Sequence, residues 1–226
     1  MPVNIQIYIA VALGGYLLGS IPFGYLVAKA MGIDIRTVGS GNIGATNAMR
    51  VLGKPAGIFV LVMDALKGYA ACVFLAPWIH DWILPHLSGL APTFATEPEM
   101  YRMKLETIAG VAAVLGHNYT CWLKFKGGKG IATSAGVYIA LAPIPLLIAV
   151  AAFAVLLLAT RYVSVGSIGA AIALMTAVWI MKTDNLFLCI VTTFLGTLAI
   201  YKHKGNIQRL MAGTENRFGR KKEASK

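Results

Sequence analysis

The stretch 38–50 (VGSGNIGATNAMR) combines glycines, neutral hydrogen-bonding side chains and one arginine in an otherwise apolar part of the chain. Gly39, Gly41 and Gly44 allow the backbone to adopt positive φ and to approach a ligand closely. Arg50 supplies a planar cation that can donate two hydrogen bonds to one phosphate. Neutral donors and acceptors come from Ser40, Asn42, Thr46 and Asn47. The stretch therefore predicts a cradle for an anion, with phosphate as the expected ligand.

The same three glycines also satisfy the G-x-G-x-x-G spacing of dinucleotide-binding folds, and Asp64 lies about the expected distance downstream. That fingerprint requires a preceding buried strand and a βαβ unit. Here the glycines follow a long apolar segment, and Asp64 lies inside another. We therefore interpret the stretch as a phosphate cradle outside a Rossmann fold.

A second polar stretch, 116–130, gathers three lysines among glycines. The Walker A spacing is not met, because Leu123 and Gly130 occupy positions that require Gly and Ser or Thr. What remains is Lys129, which follows Gly128 directly before a predicted helix. Backbone amides and the helix dipole favour an anion at such a position.

The elements that must position these loops are strongly apolar. The chain has 226 residues, of which 58% are hydrophobic and 13% charged, and its mean hydropathy is +0.71. This composition predicts an integral membrane protein. The first charged residue is Lys29, so the N-terminal segment lacks the basic region of a signal peptide and is expected to be a retained helix. Cys72, Cys121 and Cys189 are scattered, which indicates neither a disulfide nor a zinc site.

Hydropathy and segment length predict an all-α fold with seven transmembrane helices in one membrane domain, residues 1–226. One helix over 131–160 would be about 45 Å long, so this run must turn back at Ala142-Pro143-Ile144-Pro145. Pro22 is expected to kink the first span. The spans are expected at 5–29, 55–78, 105–115, the two halves of 131–160, 168–181 and 186–201, with a cradle loop at 31–54 and a polar break at 161–167.

The basic residues predict the orientation. A net charge of +11 could indicate a nucleic-acid partner, but basic cytoplasmic loops explain it through the positive-inside rule. With the N-terminus outside, all of the 20 lysines and arginines except Arg102, Lys104 and Lys182 face the cytoplasm. The expected topology has an external loop at 80–104 and a cytoplasmic tail at 202–226 that carries a short motif and a mobile basic end.

This topology brings the polar motifs to the cytoplasmic side, where Arg50, Lys129 and His203 can converge on one phosphate pocket. The alternative is that basic residues at helix ends set the topology and bind anionic lipid headgroups. We prefer that alternative for Lys124, Lys126 and the basic tail.

Two smaller clusters allow alternative interpretations. Asp64 and Lys67 share a helix face, and they form either a structural ion pair or a support for the cradle. His80, Asp81 and His86 could be drawn as a metal site, but a solvated loop explains them better. We expect neither a metal nor a cofactor.

Several motifs occur in order along the chain: 19–24 (GSIPFG), 38–50, 116–119 (GHNY), 125–133, 161–164 (RYVS) and the 203–215 tail. Together they resemble the bacterial acyl-phosphate:glycerol-3-phosphate acyltransferases, the PlsY family, over nearly the whole chain. The sequence departs from the family pattern at Thr120, where Pro is usual, at Gly166, where Ala is common, and at Lys202 and Lys204, which replace arginines.

The resemblance implies a multi-pass enzyme of the bacterial cytoplasmic (inner) membrane, with its active site on the cytoplasmic side. It would make lysophosphatidic acid from acyl phosphate and glycerol 3-phosphate in phospholipid synthesis. The implied catalytic residues are Ser40, Lys129 and His203. The implied substrate-binding residues are Gly39, Gly41, Asn42, Gly44, Asn47, Arg50, Gly128, Ser167 and Asn206. Besides the two substrates we expect contact with membrane lipid, no nucleic acid, and a monomer.

An acyl phosphate is already activated, so the chemistry needs mainly a positioned hydroxyl, charge stabilisation and exclusion of water. The base is either His203 or the phosphate of glycerol 3-phosphate; we prefer an orienting role for His203, with Asn206 on the same helix face. The His-x-x-x-x-Asp pair of other glycerolipid acyltransferases is absent, because the matching positions hold Pro85, Ala91, Trp122 and Gln208. A carrier or channel for a phosphorylated metabolite is the alternative, although polar motifs on one face do not favour alternating access.

Overall fold

The computed structural model describes residues 3–83 and 98–219, and all regular structure within these residues is helical. The predicted all-α class is confirmed for this part of the chain. The α-helices are α1 (Val3–Ser20), α2 (Phe23–Ala30), α3 (Ala45–Leu52), α4 (Lys54–Ala70), α5 (Pro98–Asn118), α6 (Ile131–Leu141), α7 (Pro143–Thr160), α8 (Val163–Met181), α9 (Leu186–Lys202) and α10 (Lys204–Met211). A π-helical segment (Ala71–Leu75), a short α-helical turn (Ala76–Trp78) and a second π-helical segment (Ile79–Ile83) continue α4, and a 3₁₀ turn (Cys121–Leu123) lies between α5 and α6.

Among the described residues, four helical segments are long and apolar enough to cross a bilayer, namely Ile5–Ala30, Lys54–Trp82, Pro143–Thr160 and Val163–Met181. A fifth candidate joins α9 to α10, which bend by 49° at their junction. Helix α6 is apolar but only 11 residues long. Seven spans and an outside N-terminus therefore stay predictions. Most of the expected external loop (84–97) and the basic end (220–226) lie outside the described residues.

Prolines end the helices where the sequence predicted. Helix α1 stops at Ser20 and α2 begins at Phe23, so the chain breaks at Pro22. Helix α6 stops at Leu141 and α7 begins with Pro143. Proline has no N–H to donate, and the first turn of a helix is where that donor is not needed.

Three predicted boundaries were wrong. The loop expected at 31–54 contains the eight-residue helix α3, and the helix expected at 105–115 begins at Pro98. The polar break expected at 161–167 shrinks to Arg161 and Tyr162, because Ser164 and Ser167 lie inside α8. Ser167 Oγ donates to Val163 O at 2.9 Å, so its hydroxyl is satisfied within the helix.

The chain divides into two compact units, Met1–Pro143 and Ile144–Lys226. In the first unit α1 packs along α5 through glycine: a Cβ atom at Gly15 or Gly19 would overlap the backbone of Ala109 or Ala113. Close backbone approach of this kind is typical of helices packed in membranes. Where α4 crosses α6, the residues without room for a Cβ are Gly68 and Gly136.

The second unit is built on the pairing of α8 with α9. Gly196 of α9 lies against Met175 of α8, and Trp179 Nε1 donates to Thr193 Oγ1 at 2.9 Å. Asn185 begins α9, because its side chain accepts a hydrogen bond from Leu188 N at 3.0 Å. Helix α9 ends at Lys202, so His203 lies at the bend before α10.

Candidate active site

The cradle loop is folded around the side-chain amide of Asn47, which is 2% exposed. Its Oδ1 accepts from Ser40 N at 2.9 Å. Its Nδ2 donates to Val38 O at 3.1 Å and to Asn42 O at 2.9 Å, and more weakly to Ile35 O at 3.3 Å. One buried side chain thus makes hydrogen bonds to backbone groups at four positions of the loop. Asn47 shapes the cradle through both of its polar atoms.

The glycines of the cradle differ in conformation. Gly39 has φ +64° and Gly41 has φ +69°. Only glycine adopts these backbone conformations easily. Gly44 has φ −78°, so it does not use the positive φ that glycine allows. Gly44 instead precedes α3, and its N–H donates to Asn42 Oδ1 at 2.8 Å. The preceding Ile43 carbonyl lies against Gly24 of α2.

The side chains expected to meet a ligand lie on the outside of this loop. Ser40, Thr46 and Arg50 are exposed, while Asn42 is half-buried. Arg50 lies in the last turn of α3. The arrangement is therefore a fixed backbone loop with a hydroxyl and a guanidinium at its surface, which suits an anion.

The second loop is attached to the C-terminal end of α5. Gly127 N donates to Asn118 O at 3.2 Å, and Gly128 N donates to His117 O at 2.9 Å. Carbonyls at a helix C-terminus have no partner within the helix, so the loop amides satisfy them. Lys129 follows as a half-buried residue, two positions before α6 begins.

Thr120 shows how this chain accommodates one departure from the family pattern. Its Oγ1 donates to Ser20 O at 2.6 Å, at the end of α1. Tyr16 OH donates to Tyr119 O at 2.6 Å. These two hydrogen bonds, and a longer one from Ser20 Oγ to Gly116 O at 3.4 Å, hold the start of the second loop against α1.

Beneath the second loop lies a buried group of charged and titratable side chains that we call the Asp64 cluster: Asp64, Lys67 and His117, which are 2%, 3% and 5% exposed. Asp64 Oδ1 lies 2.8 Å from Lys67 Nζ and 3.5 Å from His117 Nδ1. Lys67 Nζ also donates to Ile21 O at 2.8 Å, at the break between α1 and α2. The ion pair between Asp64 and Lys67, one of the two interpretations of the sequence, is present. Sequence reasoning missed His117 as its third member.

In the second unit, His203 is 3% exposed and lies between α9 and α10. Its Nδ1 lies 2.7 Å from Ala199 O, which can only accept, so Nδ1 carries a proton. In the neutral ring Nε2 is then the acceptor. A hydroxyl group could donate to Nε2 of this neutral form.

Glu215 organises the tail around Asn206. Its Oε1 accepts from Asn206 Nδ2 at 2.6 Å and from Ser164 Oγ at 3.0 Å, and its Oε2 accepts from Arg209 Nε at 2.7 Å. Burial opposes ionisation, but these hydrogen bonds outweigh it and hold the pKa of Glu215 below its ordinary value. Sequence reasoning gave Glu215 no role, since Ser164 lies 51 positions away along the chain.

The tail returns to the start of α8 through two further contacts. Phe218 N donates to Arg161 O at 2.6 Å, and Arg217 Nε donates to Tyr162 OH at 2.9 Å.

Of the possible metal ligands considered from the sequence, His80 Nδ1 lies 2.6 Å from Asp81 Oδ1, and His86 lies outside the described residues. Within the described residues no group of three histidine, cysteine or acidic side chains could hold a metal ion.

The described residues are helical, and several of these helices are long and apolar enough to cross a bilayer, as in an integral membrane protein. The glycerol-3-phosphate acyltransferase family model matches residues 9–213. The chain belongs to this family, which decides against the carrier or channel considered from the sequence.

Relatives named glycerol-3-phosphate acyltransferase are similar over almost the full chain. The protein of Geotalea daltonii is 45% identical over 212 residues, covering 94% of this chain and 98% of the relative. The protein of Geobacter metallireducens is 47% identical over 205 residues, covering 91% and 94%. The crystal structure of PlsY (YgiH), an integral membrane glycerol 3-phosphate acyltransferase, in its glycerol 3-phosphate form matches with a TM-score of 0.79 and 36% identity, covering 94% of this chain and 96% of that one. Its lysophosphatidic acid form matches with a TM-score of 0.76 and 35% identity, covering 94% and 95%.

Proposed function

We propose that this protein transfers a fatty acyl group from an acyl phosphate to the sn-1 hydroxyl of glycerol 3-phosphate, giving lysophosphatidic acid and inorganic phosphate. The observation that carries the proposal is the cradle loop, since Asn47 fixes its backbone while Ser40 and Arg50 are exposed. A loop that is already ordered binds a phosphate without the entropic cost of ordering it. The names of the relatives and of the matched structures support glycerol 3-phosphate as the acyl acceptor.

The reaction exchanges one acyl–oxygen bond for another. The sn-1 hydroxyl oxygen attacks the acyl carbonyl carbon, and the bond from that carbon to the phosphate oxygen breaks, so that phosphate leaves with the electron pair. The hydroxyl proton passes to a phosphate oxygen or to His203. Because an acyl phosphate is already a reactive anhydride, the protein contributes chiefly orientation and stabilisation of charge.

The roles follow from residue type and exposure. Arg50 can bind one phosphate through two parallel hydrogen bonds, and Lys129 supplies a second cation. Ser40 can donate to an oxygen of the acyl phosphate. Asn47 acts indirectly, because both of its polar atoms bind the loop backbone. The other substrate-binding residues that we propose are Gly39, Gly41, Asn42, Gly44, Gly128, Ser167 and Asn206.

We assign His203 to orientation of glycerol 3-phosphate, with the phosphate of the substrate as the proton acceptor. Its Nε2 can accept a hydrogen bond from a glycerol hydroxyl, given the hydrogen bond that Nδ1 makes to Ala199 O. Asn206 is held beside the bend by Glu215. Two neutral groups held in this way suit recognition of hydroxyls.

The site in this proposal faces the cytoplasm of a bacterium, in a monomer of seven spans in the inner membrane. The support is the asymmetry of charge in the sequence, where Arg102, Lys104 and Lys182 alone fall on the outer side. Cysteine accessibility tests the orientation: a cysteine introduced at Ser40 should react with an impermeant maleimide only after the membrane is opened.

The activity itself is tested with purified protein in detergent supplied with acyl phosphate and glycerol 3-phosphate, the lipid product being identified by mass spectrometry. We expect lysophosphatidic acid, and none when acyl coenzyme A replaces acyl phosphate, because the cradle binds a phosphate attached to the carbonyl. Turnover with acyl coenzyme A at a comparable rate would contradict the proposed donor. Absence of lysophosphatidic acid with every donor would contradict the proposed function.

A further inference from the structure

The Asp64 cluster joins three separate parts of the first unit. Asp64 and Lys67 belong to α4, and His117 lies in the last turn of α5. Lys67 Nζ reaches the Ile21 carbonyl at 2.8 Å, where α1 ends. The cluster therefore connects the break after α1 with the segment of α5 from which the second loop departs.

A buried ion pair stabilises a fold only weakly, because removing two charges from water costs about as much as their attraction returns. Stability alone therefore does not account for charged side chains at 2% and 3% exposure. Such groups can instead specify geometry, since an ion pair with a fixed partner allows one arrangement of the surrounding side chains. The geometry that this cluster can specify is that of His117, whose Nδ1 lies 3.5 Å from Asp64 Oδ1.

His117 in turn determines the position of the Gly128 backbone in the second loop. Its carbonyl accepts from Gly128 N at 2.9 Å, and its ring fills the space beside Gly128, where a Cβ atom would overlap Nε2. Gly128 is buried and Lys129 is the next residue. A shift of the His117 ring toward Gly128 would therefore displace the backbone from which Lys129 extends.

We infer that Asp64 and His117 are positioning residues for Lys129: Asp64 fixes the His117 ring, the ring fixes Gly128, and Gly128 places the lysine for a phosphate group. This inference rests on the proposed function, in which Lys129 binds a substrate phosphate. The phosphate belongs either to glycerol 3-phosphate or to the acyl phosphate. The chemistry is the same in both cases, and separate Michaelis constants distinguish them.

The contact between the ring and the glycine allows a double-mutant cycle. Gly128→Ala places a methyl group against the ring, whereas His117→Ala removes the ring. Each single variant should raise KM for one phosphate substrate at least tenfold and change kcat less than threefold. In the double variant the methyl group occupies space vacated by the ring, so its KM should lie closer to wild type than that of either single variant. Recovery of this kind identifies direct contact.

Gly110→Ala serves as the control for a purely structural effect. Its Cβ would press on the Val137 side chain and on Cys72 Sγ, away from the loop. We expect it to lower Tm in detergent without changing either KM.

The second arm is Asp64→Asn combined with Lys67→Met, which removes both charges together and leaves no unpaired buried ion. It should raise the same KM that His117→Ala raises.

Binding of inorganic phosphate, measured by calorimetry, supplies a readout that does not depend on turnover. We expect the dissociation constant for phosphate to rise in both single variants and to recover in the double variant. Unchanged KM and phosphate affinity in folded Gly128→Ala, or losses that simply multiply in the double variant, would overturn the positioning role. If wild type forms no product, the proposed function fails, while the phosphate titration still decides whether the ring positions the loop.

Discussion

The amide nitrogen of Asn206 lies 2.6 Å from Oε1 of Glu215, and the same oxygen accepts a hydrogen bond from Ser164 Oγ at 3.0 Å. Together with Arg209 on the other oxygen, this carboxylate holds the tail against the start of α8. Its side chain is 7% exposed, so these hydrogen bonds are largely shielded from water. The orientation of Asn206 thus depends on a residue nine positions later.

Glu215→Gln should destabilise the protein. The neutral amide weakens the interaction with Arg209, and hydrogen bonds to charged groups each contribute about 1.5–3 kcal/mol. We expect a clear fall in Tm measured in detergent. Glu106→Gln is the matched control, because Glu106 pairs with Arg102, whose side chain is 67% exposed. Exposed pairs contribute about 0–1 kcal/mol, so equal losses in the two variants would contradict the role given to Glu215.

The contribution of Glu215 to stability should depend on pH. The pKa of Glu215 is lowered in the folded protein from an ordinary value of 4.5, so the unfolded chain binds a proton more readily than the folded one. The stabilisation is complete above pH 4.5 and is lost as the pH falls through the folded pKa. Tm of wild type and of Glu215→Gln should therefore converge on acidification. A difference between them that stays constant from pH 7 to pH 3 would exclude this linkage.

Arg50→Lys should reduce kcat/KM at least tenfold, equivalent to about 1.4 kcal/mol, because lysine cannot form two parallel hydrogen bonds to one phosphate. Arg36→Lys is the matched control. Arg36 is exposed and pairs with Asp34 at 2.7 Å in the same loop, so its exchange should leave turnover near wild type. Near-normal activity of Arg50→Lys would mean that this arginine only sets topology or binds lipid headgroups.

His203→Ala separates the orienting role from general-base catalysis. Orientation predicts a raised KM for glycerol 3-phosphate and a limited change in kcat. A general base predicts a fall in kcat of about 10²- to 10⁴-fold and loss of the acidic limb of the pH profile. We expect the first result. A collapse of kcat with unchanged KM would assign the proton transfer to His203.

Local patterns in the sequence predicted those features that depend on one residue type at one position. Positive φ at Gly39 and Gly41 and the helix breaks at Pro22 and Pro143 follow from the backbone limits of glycine and proline. Helix α3 was missed because the glycines and polar residues before it resemble a continuing loop, and the helix is only eight residues long. Packing against α4 stabilises α3, and the local sequence does not show this contact.

The parts of the site that were missed depend on partners distant in the chain. His117 approaches Asp64 from 53 positions away, and Glu215 meets Ser164 from 51 positions away. Spacing within one helix shows Asp64 and Lys67 on a common face, but it cannot show which residue of another helix completes the group. Tertiary packing alone brings such pairs together.

The glycine packing of α1 on α5 restricts how these two helices can evolve. A methyl group at Gly19 would meet the carbonyl oxygen and Cα of Ala113, which are backbone atoms present whatever residue occupies position 113. No compensating substitution at position 113 can therefore make room for it. A library randomised at both positions should return glycine at 19 in every functional clone, with variation confined to its partner.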